Sequence, residues 1–490
     1  MKQKSISKNY LYNLSYQLLN IIIPLITTPY LARALGPESI GIYSYTFSIT
    51  TYFILFGTLG IFMYGQREIA YVQENRKKRS IVFWEIVLLK IITMAISITI
   101  FCFSFGHSQD YKLFYRIFII ELISQCIDIG WFFHGLEDFK KTVIRNSIVK
   151  VFFSISIFIF VKTPEDLWKY IILITGANLL GNVSLWLYIP RYIEKVQLKE
   201  INIVQHVKPT VMLFIPQIAV QIYTVLDKTM IGEIVNDKSE VGFYEQAQKV
   251  VRLLLTFVTS LGTVMVPRIA STFAQGDKEK LKNYMYSSFK FVYFLSFPIM
   301  TGLMLISNEF VPVFFGDGYT KVSTLINVIM PIVLFIGLSN IIGTQFLLPT
   351  KRQKEYTISV VVGAVVNFIF NLFFIRMFAS IGASIATVIA ELAVTLVQLY
   401  FVKKEIEFTN IIKLSIKNII ASVIMAFIVY GISLMLPLKG IYLIAIKMII
   451  GIVTYIVTLI ILRDEFLKNV ISKIIDKTIQ YKNKIIKSGS

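Results

Sequence analysis

The 490-residue chain predicts an all-α polytopic membrane protein with about 14 transmembrane helices. Three observations predict it. Hydrophobic residues make up 56% of the chain and charged residues 16%, against about 45–50% and roughly 25% in soluble domains; mean hydropathy is +0.69. Apolar runs of about 20 residues, the length that crosses a bilayer, recur from end to end. Lys and Arg gather in alternate connections. The composition excludes an ordinary soluble enzyme, a disordered chain and a disulfide scaffold.

Candidate spans fall at 11–31, 40–62, 81–105, 113–134, 146–162, 167–188, 209–230, 241–265, 283–307, 321–348, 357–375, 383–402, 417–436 and 442–462. The fifth is short and the eighth is the least apolar. With the N-terminus placed in the cytoplasm, segments 1–10, 65–80, 135–145, 189–208, 266–282, 350–356, 403–417 and 463–490 hold 33 Lys and Arg. The opposite loops hold seven: Arg33, Lys112, Lys162, Lys238, Lys321, Arg376 and Lys439. This positive-inside pattern puts both termini in the cytoplasm. It also accounts for the net charge of +20 without nucleic acid.

The connections are too short for a soluble catalytic domain, so the chain reads as a transporter and not an enzyme. Cys102 and Cys126 lie in apolar runs and form no CxxC pair or disulfide framework. His107, His134 and His206 are far apart, so no metal or other cofactor is expected. The N-terminus lacks the small-residue site of a cleavable signal peptide. From Arg463 the tail is basic, with Ile471, Ile474, Ile475 and Ile479 on one side. An interfacial helix on an anionic leaflet and a solvated basic tail both fit it.

An internal repeat is visible. Gly41-Ile42-Tyr43, Leu59-Gly60-Ile61-Phe62-Met63, Arg67 and Ala70 recur as Gly242-Phe243-Tyr244, Leu261-Gly262-Thr263-Val264-Met265, Arg268 and Ala270, at offsets of 200 to 202. Pro24 in the first span has a counterpart, Pro216, in the seventh. Two six-helix halves in one orientation follow, with two helices appended. The expected division is an N-lobe at 1–206 (spans 1–6), a C-lobe at 207–405 (spans 7–12), and spans 13–14 with the tail at 406–490. Repeats with a site at their interface are a common transporter design.

Polar residues inside the spans line up on helix faces. Span 1 carries Asn13, Gln17, Asn20, Pro24 and Thr27; span 7 carries Gln217, Gln221, Thr224 and Lys228 beside Asp227. Span 8 carries Glu245, Lys249, Arg252, Thr256 and Thr259; span 4 carries Glu121, Gln125 and Asp128 below Arg116; span 12 carries Ser384, Thr387, Glu391, Thr395 and Gln398. Such stripes imply a wet cavity between two lobes. In-span cations (nine) outnumber in-span acids (six), which favours an anionic substrate such as a phosphate or pyrophosphate. The expected substrate contacts are Arg116, Lys228, Lys249, Arg252, Gln17, Asn20, Gln217 and Gln221, with Trp131 as a sugar-stacking face. Asp128, Glu121, Glu391 and Asp227 are the ion-coupling candidates. Blander readings stay open. Ser, Thr and Asn glue helices together, Lys249 and Arg252 can snorkel, Glu245 can pair with Lys249 at i, i+4, and the acids can neutralise Arg116 or a neighbouring Lys.

The stretch Asp128-Ile129-Gly130-Trp131-Phe132-Phe133-His134-Gly135-Leu136-Glu137-Asp138-Phe139-Lys140 resembles the fourth-span exit of Wzx-type polysaccharide flippases. Gln345, Asn367, Asn371, Gly382-Ala383-Ser384-Ile385-Ala386-Thr387 and Glu391 resemble their span 10–12 region, and Leu35-Gly36-Pro37-Glu38-x-x-Gly41-x-Tyr43 fits their opening. The resemblance implies a MATE-like two-lobe bundle of the MOP superfamily in a bacterial plasma membrane. It implies a substrate of undecaprenyl-pyrophosphate-linked oligosaccharide for capsule- or O-antigen-type polymers. Alternating access coupled to H+ or Na+ comes with it, as do membrane lipid and a polysaccharide polymerase and export machinery as partners. The family has no invariant catalytic motif to carry over. The alternatives are a flippase for another polyprenyl-linked wall precursor and a MATE-type multidrug or cation antiporter. The antiporter calls for a more acidic cavity.

Overall fold

The computed structural model describes residues 6–106, 110–436, 438, 440–472 and 476; side chains of 6–18, 20, 139–142, 144, 215–217, 219, 220, 222 and 223 fall outside the description. Every regular element among the described residues is helical. In chain order these are α1 (Ile6–Thr58), α2 (Ile61–Tyr71), α3 (Arg76–Phe105), α4 (Lys112–Ile127), α5 (Gly130–Gly135), α6 (Phe139–Phe160), α7 (Leu167–Trp186) and α8 (Val204–Ile234). They continue as α9 (Ser239–Thr259), α10 (Gly262–Ala274), α11 (Lys278–Phe315), α12 (Thr320–Ile329) and α13 (Ile332–Ser339). A π-helical segment, α14 (Gln353–Phe401), α15 (Phe408–Met435) and α16 (Ile441–Ile461) complete the chain. The basic tail's periodic Ile474, Ile475 and Ile479 lie outside the described residues.

Among the described residues, nine helices are long and apolar enough to cross a membrane, or ten if the bent α12–α13 pair is one span. Two of the nine have length for two crossings at about 1.5 Å per residue and a ~30 Å core. One is α1, broken at Gly36 (φ 74, ψ 170) just before Pro37. Proline bars the helical region to its predecessor, and glycine takes the positive φ. The other is α14, broken at Ala379 (φ 50, ψ −128). The count of fourteen rests on the sequence. One boundary moves: α6 begins at Phe139, so Arg145, counted in the sequence as a loop cation, lies inside a helix.

The chain divides into two compact units. The first comprises Met1–Glu245, Phe315–Gly318 and Asn371–Ala383; the second comprises Gln246–Phe314, Tyr319–Phe370 and Ser384–Ser490. All of α8 belongs to the first unit. The connection leading into α8 explains why, because it is fastened along the first turns of α3. Arg76 and Arg79 donate to the carbonyls of Ile193 (3.1 Å) and Tyr192 (2.6 Å), and Ser80 Oγ accepts from Glu194 N–H (2.9 Å). Glu85 accepts from the N–H of Asn202 (2.6 Å) and faces His206 Nε2 at 2.8 Å, while Tyr64 Oη lies 2.6 Å from His206 Nδ1. All three side chains are buried.

The first unit's core is aromatic: Phe83, Trp131, Phe132 and Phe133 join Ile61, Tyr64, Ile86 and Leu185. In the second unit Met425, Val429, Tyr455 and Leu459 hold α15 on α16. Tyr455 Oη lies 2.7 Å from Asn418 Oδ1 and 3.1 Å from the Phe294 carbonyl. Lys447, 5% exposed at the side chain, meets Glu309 at 2.6 Å, as a charge inside an apolar helix requires.

The sequence repeat has a structural counterpart. α1 ends before Leu59-Gly60 and the short α2; α9 ends before Ser260-Leu261 and the short α10. Inside the first unit, Gly41 and Gly242 lie back to back. A Cβ on Gly41 would overlap the Lys238 carbonyl and sit 3.1 Å from Gly242 N. A Cβ on Gly242 would overlap the Pro37 carbonyl and sit 3.1 Å from Gly41 N. Pro37 and Gly41 match Lys238 and Gly242 at one offset, so the contact is reciprocal. Only glycine permits this approach. Below it, Tyr45 donates to the Glu233 carboxylate, the Lys238 ammonium lies 4.6 Å from the Tyr45 ring centre, and the Ser48 and Thr229 hydroxyls are 2.9 Å apart.

Candidate functional site

The fourth span is broken at its Asp128 end. α4 stops at Ile127, Asp128 is extended (φ −66, ψ 119), and α5 begins at Gly130. Asp128 Oδ1 accepts the Gly130 N–H at 2.8 Å. The carbonyls released by the break find donors. Ile127 O accepts from the Trp186 indole (2.8 Å), Asp128 O from Lys90 Nζ (2.7 Å), and Ser124 O from the Asn182 amide (3.0 Å). Irregular backbone at membrane depth survives only where protein satisfies it or where it lines a cavity. Both conditions hold here.

A cavity of about 290 Å3 opens at the break. Gln125 lines it from α4, Asp128 from the break itself and His134 from α5; Arg145, Asn146 and Lys150 line it from α6, and Asn178 and Asn182 from α7. Arg145 Nη1 donates to Asn182 Oδ1 at 3.2 Å. Gly181 leaves the guanidinium its room, since a Cβ there would lie 2.9 Å from Nη1. The Phe62 ring stands edge-on to His134, with centres 5.2 Å apart. Next to the cavity Glu121 is 3% exposed. It accepts from Gln125 and from Asn178, each at 2.9 Å, as buried carboxylates must.

A second polar cluster joins α8 to the start of α9 and to the 371–383 segment. Asp227 accepts from the Asn371 amide (2.7 Å) and from the Tyr244 hydroxyl. Lys228 pairs with Glu245 at 2.9 Å, both side chains 14% exposed. This ion pair runs between helices, from α8 to α9. Among the described residues no group of three or more His, Cys, Asp or Glu is arranged to hold a metal.

The remaining expected residues are scattered. Arg116 is exposed on α4 and Gln221 is exposed on α8. Lys249 is half-buried and Arg252 exposed on α9, and Glu391 is buried on α14, all three in the second unit. The side chains of Gln17, Asn20 and Gln217 lie outside the described residues. Trp131 has no accessible face. It is fully buried, packed against Gly65 and stacked 5.8 Å from Phe83, so the structure makes it a core residue where the sequence suggested a sugar contact. Arg145, Lys150, Asn178 and Asn182 went unselected in the sequence. Their signal is distributed over two helices, and a stripe search along one helix does not register it.

Comparison with known proteins adds two matching family profiles: polysaccharide biosynthesis protein over residues 6–273 and lipid II flippase MurJ over residues 144–451. A protein of Escherichia coli (strain K12) named "Putative O-antigen transporter" is 25% identical over 358 residues, 72% of this chain and 86% of that protein. A Shigella dysenteriae protein of the same name is 23% identical over 354 residues, 70% and 87% of the two chains. Among solved structures, lipid II flippase MurJ in an inward closed conformation superposes with a TM-score of 0.74 at 20% identity, covering 93% of this chain and 99% of that one. An inward-facing multidrug resistance MATE transporter of the MOP superfamily gives 0.61 at 13% identity, covering 81% and 95%. At these identities the likeness is one of fold, and the fold is that of these transporters.

Proposed function

This chain belongs to the polysaccharide biosynthesis protein family, as a Wzx-type flippase of the MOP superfamily, and on that premise we propose that it flips a lipid-linked oligosaccharide across a bacterial plasma membrane. The finer reading is a repeat unit on undecaprenyl pyrophosphate, destined for an O-antigen- or capsule-type polymer. The observation that carries it is a polar, cation-bearing cavity at a helix break inside an otherwise apolar chain. A polyprenyl tail can stay in lipid while its charged, hydroxyl-rich head takes a polar path. Two repeats alternating about a central path supply that route.

In this reading both termini are cytoplasmic, and 1–206 and 207–405 act as the two lobes. Arg116, Lys228, Lys249, Arg252 and Gln221 steer the head group. Asp227 is the preferred ion-coupling carboxylate, ahead of Asp128, Glu121 and Glu391. Its two oxygens accept from the neutral donors Asn371 and Tyr244, and a carboxylate at membrane depth marks an ion pathway. Polymerase and export machinery take the product. The test is depletion of the protein in its host. Lipid-linked repeat units should accumulate on the cytoplasmic leaflet while surface polymer is lost. No accumulation, with raised sensitivity to cationic drugs, would overturn the proposal in favour of drug export. Asp227→Asn should remove the dependence of flipping on the ion gradient; unchanged dependence excludes Asp227 as the coupling site.

A further inference from the structure

We propose that the connection from α7 to α8 lies in the head-group layer of the cytoplasmic leaflet, with Leu198 inserted among the lipids and Arg191, Lys195 and Lys199 on anionic head groups. The choice of leaflet, but not the insertion, rests on the orientation proposed above. Three observations support it. First, the connection sits at interfacial depth. Trp168 and Trp186 bracket α7, and the helix between them rises about 27 Å at about 1.5 Å per residue, close to the ~30 Å of a hydrocarbon core. Trp186 stands beside Trp84 of α3, with ring centres 6.3 Å apart, and indoles gather where helices leave the core. The connection starts at that level and stays on it, tied to Arg79 and Ser80 at one end and to Glu85 at the other. Second, Leu198 is 85% exposed between those ties. Its turn is pinned: Glu200 accepts from Gln197 N–H at 3.2 Å and pairs with Lys77 of α3. Leu187 and Val204, at the flanking helix ends, are each 78% exposed. Apolar side chains held outward at this depth are covered by lipid. Third, Arg191, Lys195 and Lys199 are exposed around Leu198, against the acids Glu194 and Glu200, and Glu200 is engaged by Lys77. Basic residues interleaved with apolar ones are the pattern that binds an anionic leaflet.

The experiment puts a nitroxide at Leu198 of the full chain, as Leu198→Cys with Cys102→Ala and Cys126→Ala, reconstituted into vesicles of phosphatidylcholine alone or with phosphatidylglycerol. Oxygen, which concentrates in lipid, and a water-soluble nickel chelate then compete to relax the label. Oxygen should dominate in the phosphatidylglycerol vesicles, and nickel collisions should fall severalfold against phosphatidylcholine alone. Salt should reverse part of that fall, because it screens exposed charge. Lys195→Gln with Lys199→Gln should abolish the phosphatidylglycerol effect. Nickel dominating in both membranes overturns the insertion and leaves Leu198 to water or to a protein partner. Oxygen dominating equally in both membranes, untouched by salt, overturns the pairing with anionic head groups. Should the cysteine replacements fail to fold, quenching of Leu198→Trp by brominated phosphatidylglycerol, read against the wild-type chain, decides the same question. The label reports position without transport. A chain that inserts Leu198 but does not flip keeps this surface and refutes the transport reading; a chain that flips with Leu198 in water does the reverse.

Discussion

Two parts of the first unit depart from regular helix packing in opposite ways. At Gly41 and Gly242 the departure is closeness: backbone meets backbone and no side chain fits between. At Asp128 it is openness: the helix stops, carbonyls turn to side-chain donors, and a polar cavity remains. The first region is specified by the absence of atoms and the second by an inventory of donors. The lesson is that the two should fail differently. The glycine contact should fail all at once, and the break one hydrogen bond at a time.

The largest effect should come from Gly41→Val or Gly242→Val. Each forces a side chain into a carbonyl, at or above the ~3 kcal/mol upper range of overpacking. Loss of folded protein from membranes, or a collapsed unfolding midpoint in detergent, checks this; wild-type stability would show that the contact yields freely. Next, Ser48→Cys with Thr229→Cys puts two thiols where hydroxyls lie 2.9 Å apart. Oxidation should stop flipping and reductant should restore it, if the contact opens in the cycle. Undiminished flipping in the cross-linked protein would show that it never opens.

Lys228→Met should cost about 2 kcal/mol, below the roughly 3–5 of a fully buried pair, because it breaks the 2.9 Å pair with Glu245. Adding Glu245→Met should recover most of the loss, and a double-mutant cycle reads the coupling. On the cavity side, Trp186→Phe and Asn182→Ala each remove a donor from a freed carbonyl and should cost about 1–2 kcal/mol. They should act additively where they share no partner. A loss as large as that of the glycine variants would erase the contrast.

The smallest effect should be Asp166→Asn, in the turn before α7. Lys169 and the N–H groups of Lys162 and Thr163 hold its carboxyl at about 2. A depressed carboxyl contributes stability above its unfolded value, near 4, and loses it as pH falls toward 2. The variant should therefore differ from wild type at neutral pH and match it in acid, as a pH series of unfolding midpoints would show.

Much of this was legible in the sequence, for identifiable reasons. Helix class and the repeat follow from hydropathy and a fixed offset, which are properties of the chain read along itself. The Asp128 break coincides with the stretch that resembles the flippase family. What escaped depends on distance in sequence. Glu245 meets Lys228 because α8 approaches α9, which no spacing along one helix announces. Trp131 turns inward because Gly65 leaves a flat seat for its ring. Arg145 was placed in a loop because its helix begins with Phe139-Lys140-Lys141, a start too polar to read as membrane.

The reciprocity of the glycine contact reaches beyond this chain. Each glycine approaches the carbonyl that its counterpart's repeat supplies, so one half offers the other the same patch that it receives. Identical subunits meet in this way about a dyad. A half-length chain carrying this patch would be complementary to a second copy of itself. The first half of the present chain, expressed alone, should retain that self-complementary patch and have another copy of itself as its natural partner.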